Sequence, residues 1–252
     1  AGESMDLDLK QRTVKIARNV TVSIAAPMFV IPAEANKTSK TAKPPPIVIT
    51  CDGPATADGF ERAVRLQKAV ALRQGKDELH ADRVNLFFAQ TKSETAPRAG
   101  SLEGEVELER FEAEGNVRFK TSVVDGEGSR LVRTRANDQV ILDGKPAVVR
   151  RAGNRIEAER IDLDSAREQV EVPMKGALHI EQEGDKPERM DIVWGRQFHL
   201  DPTTHEATFR GGVVFDRAGM RVECQSLHVK LDAENRRPVS FRAEGDVRLN
   251  GT

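Results

Sequence analysis

The stretch Gly115-Asn116-Val117-Arg118-Phe119 is the clearest copy of a short phrase that recurs along the chain. The phrase places a small or polar residue, often after glycine, in front of an apolar–polar–apolar triplet. Its other copies start at Arg18, Lys68, Gly176, Gly211 and Gly245. Gly, Asn and Asp favour turns and alternation is typical of a half-buried strand, so each copy predicts a turn and then a strand. Recurrence of one strand module indicates an elongated all-β architecture in which each unit mainly contacts its neighbours.

A second phrase is repeated in three long alternating segments. It reads apolar, polar, small, two polar residues, then apolar alternation, and its copies are Leu79–Phe88, Ile156–Leu163 and Val222–Leu231. The two consecutive polar residues break the period of two at the same place in every copy. This break predicts a β-bulge or corner that re-aims the rest of each strand.

Strand patterns dominate the sequence, although one segment could also be interpreted as a helix. Residues 60–74 (FERAVRLQKAVALRQ) lack Gly and Pro, as a helix would, but their apolar spacing of two favours strands. Gly- and Asp-containing sites predict turns, among them 125–128 and 143–144. Residues 33–46 (AEANKTSKTAKPPP) predict a Lys/Thr/Pro-rich loop or linker, because its prolines exclude a central strand. We divide the chain into a partial first β unit (1–32), that linker, a β unit (47–101) and further β units (102–252).

Composition excludes several classes of function. Of the 252 residues, 38% are hydrophobic and 31% charged, which predicts a sheet that is wet on one face or a thin elongated body. The 39 basic and 40 acidic residues give a net charge of -1, so no basic excess favours nucleic acid. The chain has one Trp and no Tyr, which argues against stacking on bases or sugars.

Motifs for catalysis, metals and cofactors are missing from the sequence. It has no GxSxG, HExxH or P-loop motif, and we predict no enzymatic activity and no cofactor. His199 and His205 flank a turn, but loop histidines without spaced carboxylates are usually solvated rather than metal ligands. Cys51 and Cys224 form no CxxC pair, and two buried thiols are favoured over a disulfide, which stays open. No apolar run reaches the ~20 residues of a membrane span.

Three groups of residues resemble the OstA-like family of lipopolysaccharide-transport proteins, which includes LptA, LptC and the amino-terminal domain of LptD. They are Gly115-Asn116-Val117, the phrase Leu79–Val84, and the run Val140–Pro146 followed by Gly153–Ile156. The resemblance covers most of residues 5–31 and 47–252. It implies a twisted, open antiparallel β-jellyroll in the periplasm, with acyl chains of a lipopolysaccharide-type lipid in an apolar trough between two sheets. It also implies head-to-tail joining of units by strand pairing, and membrane partners reached through other proteins.

The chain departs from the family in its length and in the insertion at 33–46, which leaves the lipid and the partner proteins open. Alternation selects the apolar side chains that would line the trough. These lipid-groove candidates are Val20, Val22, Val70, Leu72, Val84, Leu86, Val117, Phe119, Ile156, Ile161, Leu163, Leu178, Ile180, Val213, Phe215, Val229 and Leu231.

Two other functions remain open at this point. The same residues would equally fill a closed sandwich core, as in a secreted structural or adhesive β-repeat protein without a ligand. A β-helix enzyme that acts on polysaccharide is the weakest alternative. We expect the polar residues that alternate with the groove candidates to face solvent, namely Arg118, Glu157, Asp162, His179, His228 and Lys230.

Overall fold

The computed structural model describes residues 4–8, 10–24, 45–89, 107–164, 166–182, 188–232 and 238–251. Within those ranges the chain forms nineteen strands and one short 3₁₀ helix, Arg135–Asn137. The strand pairs with a defined register are all antiparallel. The prediction of an all-β antiparallel fold is therefore confirmed. The predicted linker lies outside the described residues, apart from Pro45 and Pro46.

The chain forms two compact units. Unit 1 comprises Ala1–Ser122 and Arg130–Asn137, and unit 2 comprises Val123–Ser129 and Asp138–Thr252. The strands of unit 1 are β1 (Met5–Asp8), β2 (Thr13–Ile16), β3 (Val20–Ile24), β4 (Ile47–Cys51), β5 (Ala55–Asp58), β6 (Ala63–Gln74), β7 (Asp77–Phe88) and β8 (Leu108–Lys120). Strand β9 (Asp125–Thr134) has residues in both units.

The remaining strands belong to unit 2. They are β10 (Gln139–Arg151), β11 (Asn154–Asp164), β12 (Gln169–Val172), β13 (Gly176–Gln182), β14 (Glu188–Trp194), β15 (Gln197–Asp201), β16 (Glu206–Arg217), β17 (Met220–Leu231), β18 (Pro238–Glu244) and β19 (Arg248–Gly251). The division of the sequence into segments 1–32, 33–46, 47–101 and 102–252 is distinct from these two compact units and stays a prediction.

The long strands β6, β7 and β8 of unit 1 bend at a shared corner, where their pairing registers shift. On β6, Lys68 and Ala69 have positive φ angles of 62° and 49°, and they lie opposite the single residue Asp82 of β7. On the other side of Asp82, Gly115 and Asn116 of β8 have φ angles of 75° and 48°. Asn116 Nδ2 donates a hydrogen bond of 2.9 Å to Asp82 Oδ2. An extra residue on each neighbour of β7 is a β-bulge, which bends the strands as the second phrase predicts.

Unit 2 repeats this corner around Gln225 of β17. Gly211 and Gly212 of β16, with φ angles of 89° and 69°, lie opposite Gln225. Gly245 and Asp246 have φ angles of 74° and 50° and lie on its other side, between β18 and β19. In β10 the register shift falls between Asp143 and Ala147, opposite Glu159 of the polar pair Glu159-Arg160 in the copy Ile156–Leu163. The predicted break of the strands at these polar pairs is confirmed.

The two units share one pairing scheme. The six pairings among β1 to β7 recur among β11 to β17, where β11 also pairs with β13. From β4 to β7, each residue of unit 1 is separated by 143 residues from its equivalent in unit 2. For example, Leu66 pairs with Val84, and their equivalents Phe209 and Leu227 pair with each other. In β2 and β3 the separation is 156 residues, since Val20 pairs with Cys51 and Gly176 with Trp194. Strand β8 corresponds to β18 and β19 at a separation of 130 residues.

The corner divides each unit into two half-sheets. In unit 1, half-sheet A contains β3, β4 and residues 70–74, 77–81 and 117–120, while half-sheet B contains β1, β2, β5 and residues 63–67, 83–88 and 108–114. In unit 2, half-sheet A contains β13, β14, β19 and residues 147–151, 154–158, 213–217 and 220–224. Half-sheet B contains β12, β15, β18 and residues 139–143, 161–164, 206–210 and 226–231.

The hairpin turns of half-sheet B also repeat. Asp8 Oδ1 accepts hydrogen bonds from the backbone N–H of Lys10 and Gln11, and Asp58 Oδ1 accepts from Phe60 and Glu61. In unit 2, Asp164 Oδ1 accepts from Arg167, and Asp201 Oδ1 accepts from Thr203. Four residues after each aspartate the chain adopts a positive φ, at Arg12, Arg62, Glu168 and His205. An Asx turn of one type therefore closes equivalent hairpins in both units.

Some predicted turns are wrong. At Lys68, Gly115 and Gly211 the recurring phrase lies inside a continuous strand, because its positive-φ residues form a bulge rather than a reversal. Residues 125–128 belong to β9 and residues 143–144 belong to β10, so these two sites are strands as well. Residues 63–74 form β6, which confirms the strand interpretation over the helix.

Candidate functional site

The predicted groove residues point into the units, between half-sheets A and B. Twelve are buried and five are half-buried, and none is exposed. The buried ones are Val20, Val70, Leu72, Val84, Leu86, Val117, Phe119, Ile161, Leu178, Val213, Phe215 and Val229. The half-buried ones are Val22, Ile156, Leu163, Ile180 and Leu231. The structure divides them between two interiors, those numbered up to 119 in unit 1 and those from 156 onward in unit 2. Burial of this kind is expected of a closed core as well as of a groove.

The candidate set omits several interior residues. Ile47, Ile49, Leu66, Leu79 and Phe111 are buried on the inward face of unit 1. The signal that could have found them is the alternation used for the others, since each lies two residues from another inward apolar position. In unit 2 the largest omitted side chains are aromatic.

Three aromatic rings fill the interior of unit 2 beside its corner. Trp194 ends β14 in half-sheet A, whereas Phe198 and Phe209 lie in half-sheet B, and their exposed fractions are 1%, 2% and 0%. The ring centroid of Trp194 lies 5.2 Å from Phe198 and 5.4 Å from Phe209, and Phe198 stacks on Phe209 at 4.7 Å. We call these three residues the aromatic cluster. It joins the two half-sheets across the corner.

Two contacts fix the indole of the aromatic cluster. Trp194 Nε1 donates a hydrogen bond of 2.8 Å to the carbonyl oxygen of Met174. Gly176, the partner of Trp194 across the strands, leaves room for the ring: a Cβ there would lie 2.6 Å from Trp194 Cζ2. The tryptophan position therefore depends on a glycine eighteen residues earlier in the chain.

A second aromatic contact joins the half-sheets of unit 2 further from the corner. Phe215 of half-sheet A stacks on Phe241 of half-sheet B with a centroid distance of 4.7 Å. The Arg217 guanidinium carbon lies 5.7 Å from the centroid of the Phe241 ring. The interior of unit 2 is thus bridged by aromatic rings at two depths.

The equivalent positions of unit 1 carry mostly smaller or aliphatic side chains. Cys51, Ala55 and Leu66 correspond to Trp194, Phe198 and Phe209 in the shared register. Leu72 and Phe111 correspond to Phe215 and Phe241. Cys51, Ala55 and Leu66 are buried. The two interiors therefore share a backbone scheme but differ in the chemistry at their corner.

The outward faces carry charge. Arg118 and Lys230 are exposed as predicted, whereas Glu157, Asp162, His179 and His228 are half-buried. They are shielded because neighbouring strands bring charged partners beside them: for example, His179 Nδ1 lies 2.6 Å from Asp191 Oδ1.

The outward carboxylate of Asp191 has two charged partners, His179 and Arg189. Its burial opposes ionisation, but hydrogen bonds from His179 and Arg189 outweigh that effect and lower the pKa of Asp191. The equivalent residue in unit 1 is Val48, which is exposed and carries no charge.

The two cysteines are free thiols, and both are buried. Burial raises the pKa of each thiol, so neither is activated as a nucleophile. Among the described residues, no group of three or more His, Cys, Asp or Glu side chains is arranged to hold a metal ion. In the same residues, no helix has the length and apolar character needed to cross a membrane.

Inward-facing apolar side chains are exposed at the outermost strands. Leu7 of β1 is 57% exposed, although it pairs with the half-buried Val14. Val247 and Leu249 are 51% and 67% exposed at the end of unit 2. Leu249 pairs with the half-buried Val222, which lies two residues from the buried Cys224 on the same face of β17. Among the described pairings, β1 contacts only β2, and β19 contacts only β17.

The comparison with unit 1 shows that this exposure is a property of the edge. Val117 and Phe119 occupy the positions equivalent to Val247 and Leu249, and they are buried. The same inward face is therefore covered in unit 1 and uncovered at the last described strands of unit 2.

Comparisons with known proteins match part of the chain to one family and find similar solved structures. Residues 55–169, just under half of the chain, match the family described as "LptA/(LptD N-terminal domain) LPS transport protein". Among solved structures, one similar chain is LptH, the LptA homologous periplasmic component of the lipopolysaccharide transport device from Pseudomonas aeruginosa. The identity is 20% and the TM-score 0.40, over 50% of this chain and 80% of LptH. No curated protein sequence matches.

Proposed function

We propose that this chain, whose residues 55–169 match the LptA/LptD amino-terminal domain family of lipopolysaccharide-transport proteins, is a periplasmic module that carries the acyl chains of a lipopolysaccharide-type lipid between its half-sheets. The observation that carries this proposal is the uncovered inward face at the edge strands. Leu7, Val247 and Leu249 are apolar residues on the inward faces that are exposed at the edge strands, which supports an interior that opens there.

The hydrophobic effect supplies the binding energy. Each acyl CH₂ that leaves water contributes about 0.8 kcal/mol, so a dozen methylenes contribute roughly 10 kcal/mol at most. Since the ligand is held by apolar contact, the module requires no catalytic group. The charged outward faces keep the protein in water while the inward faces hold the acyl chains.

The edge strands suggest how modules connect. An edge strand presents unpaired backbone N–H and C=O groups, which pair with another strand unless the edge is blocked. We propose that β1 and β19 accept strands from a second copy or from another transport protein, by β-augmentation. The exposed Leu7, Val247 and Leu249 would then be covered as Val117 and Phe119 are in unit 1.

Site-specific photocrosslinking with lipopolysaccharide tests the lipid part of the proposal. A benzophenone amino acid is placed at Val22 or Ile180, which are half-buried and inward, and at Thr21, the exposed neighbour of Val22. Crosslinks at Val22 and Ile180 but not at Thr21 are expected. Absence of crosslinks at both inward positions in a folded protein would replace the proposal with the ligand-free β-repeat alternative.

Sedimentation at increasing concentration tests the edge. The change Leu249→Lys puts a charge on the uncovered strand and is expected to abolish concentration-dependent association. The matched control is Val193→Lys, since Val193 is 47% exposed on the outer face of β14. Equal effects of the two substitutions, or a native chain that stays monomeric, would contradict strand addition at β19.

A second candidate function has its own observation. The aromatic contacts that join the half-sheets of unit 2 are what a closed core would show. A structural β-repeat without a ligand would have both interiors filled in this way. At the equivalent positions, unit 1 has a ring only at Phe111, which favours the lipid carrier.

A further inference from the structure

We propose that the aromatic cluster is a plug that keeps acyl chains out of the corner region of unit 2, and that unit 1 holds the acyl chain at the equivalent depth. This inference rests on the proposed function, because it assigns the lipid at the depth of the corner to one of the two interiors. It makes Trp194, Phe198 and Phe209 residues that determine where the lipid binds.

The position of the rings supports the plug. Trp194 reaches from half-sheet A to Phe209 of half-sheet B, so the rings occupy the space that an acyl chain would need at the corner. Aromatic side chains bury about 150–250 Å² each, which makes them the largest fillers available to a core. All three are essentially inaccessible to solvent.

The anchoring of the rings supports it as well. The hydrogen bond from Trp194 Nε1 to the Met174 carbonyl oxygen would be broken if the indole moved aside. Inside an apolar interior, a donor that loses its partner is penalised strongly. Glycine at 176 gives the indole a fitted site, whereas the equivalent position of unit 1 is Val20. The indole is thus held in place rather than poised to swing out.

At the corner of unit 1, the side chains are smaller and easier to displace than the aromatic cluster of unit 2. Cys51, Ala55 and Leu66 bring no aromatic ring to its corner. The Cys51 thiol lies 3.4 Å from the carbonyl oxygen of Gly53, within its own turn, and does not bridge the half-sheets. An acyl chain that enters there meets Leu66, whose aliphatic side chain can change rotamer without losing a hydrogen bond.

The single tryptophan of the chain is a built-in reporter for the test. A fatty acid that carries a nitroxide (doxyl) group on its acyl chain quenches tryptophan only at close range. Binding of this probe is measured independently of the quenching, through the spin signal of the nitroxide, which changes when the probe is immobilised on the protein. In the native chain, we expect the probe to bind while the fluorescence of Trp194 falls little.

A reporter in unit 1 supplies the comparison. In the double variant Phe119→Trp with Trp194→Phe, the only tryptophan lies on the inward face of β8. We expect a severalfold larger quenching constant for this variant than for the native chain. Thermal unfolding and near-ultraviolet circular dichroism establish that both proteins are folded.

Removing the plug should open unit 2. Phe198→Ala and Phe209→Leu import the residues found in unit 1 and leave Trp194 as the reporter. Either change is expected to raise the quenching of Trp194 severalfold, and the milder Phe209→Leu covers the case in which Phe198→Ala does not fold. Strong quenching of Trp194 in the native chain would overturn the plug while leaving lipid binding intact. Failure of every folded variant to bind the probe would instead overturn the proposed function.

Discussion

Units 1 and 2 pair their strands in the same register but fill their interiors differently. The corners and hairpin turns correspond, and the pairings among β1 to β7 recur in unit 2 at separations of 156 and 143 positions. Yet the corner of unit 1 is lined by Cys51, Ala55 and Leu66, and that of unit 2 by three aromatic rings. The difference teaches that the backbone scheme depends on a few bulge and turn residues. The interior is then free to vary between small or aliphatic side chains and the aromatic cluster.

The largest difference between the units should appear when the corner side chain is truncated. Trp194→Ala removes a ring that contacts both half-sheets and is expected to lower the free energy of unfolding by about 3–5 kcal/mol. Cys51→Ala, at the equivalent position, removes one sulfur atom and should cost about 1 kcal/mol. Denaturation by guanidinium chloride measures both. Losses of equal size would contradict the view that unit 2 is built around its plug.

Substitutions at the positive-φ positions of the two corners should change stability by smaller amounts and with opposite signs in the two units. Gly212 has a φ of 69°, and no atom lies within 4 Å of the position that a Cβ would occupy, so Gly212→Ala meets only the left-handed strain of about 1–2 kcal/mol. Ala69, its equivalent in unit 1, already bears such strain at a φ of 49°. We therefore expect Ala69→Gly to stabilise the protein by about 0.5–1 kcal/mol. Urea unfolding of the two variants checks the opposite signs, and a loss of stability in both would contradict the shared corner.

The smallest effect concerns the outward faces and depends on pH. Because the pKa of Asp191 is lowered in the folded state, its contribution is present above the pKa of the unfolded chain and is lost as pH falls through the folded pKa. Asp191→Asn should therefore lower stability by up to about 1 kcal/mol at neutral pH, with the difference from native vanishing in acid.

The control for that measurement is Val48→Asn, at the equivalent position of unit 1. It removes no charge, so its effect on the melting temperature should not vary between neutral and acidic pH. A difference for Asp191→Asn that grows toward acid would contradict the assigned role of the carboxylate.

Local patterns in the sequence predicted the strands and the corner. The alternation at Val84 and Leu86 selects the inward face, and the polar pair Asp82-Arg83 marks the bulge. These signals work because the period of a strand is two, and any break in it changes the face that a side chain occupies. The interior position of all the groove candidates follows from the same rule.

Other features could not be predicted from local patterns. Nothing in the identity of Lys68 and Ala69 signals a positive φ, which the pairing with Asp82 imposes on them. The burial of Trp194 depends on Gly176, and that relation appears only when the strand register is known. The difference between the two interiors likewise requires the alignment of unit 1 with unit 2 through their pairings.

Native mass spectrometry tests the central claim, that the interior holds acyl chains, most directly. The folded protein is mixed with lipid A or with the same glycolipid after removal of its acyl chains. We predict a complex with the acylated lipid and none with the deacylated one. Equal binding of both glycolipids, or no complex with acylated lipid, would contradict that claim.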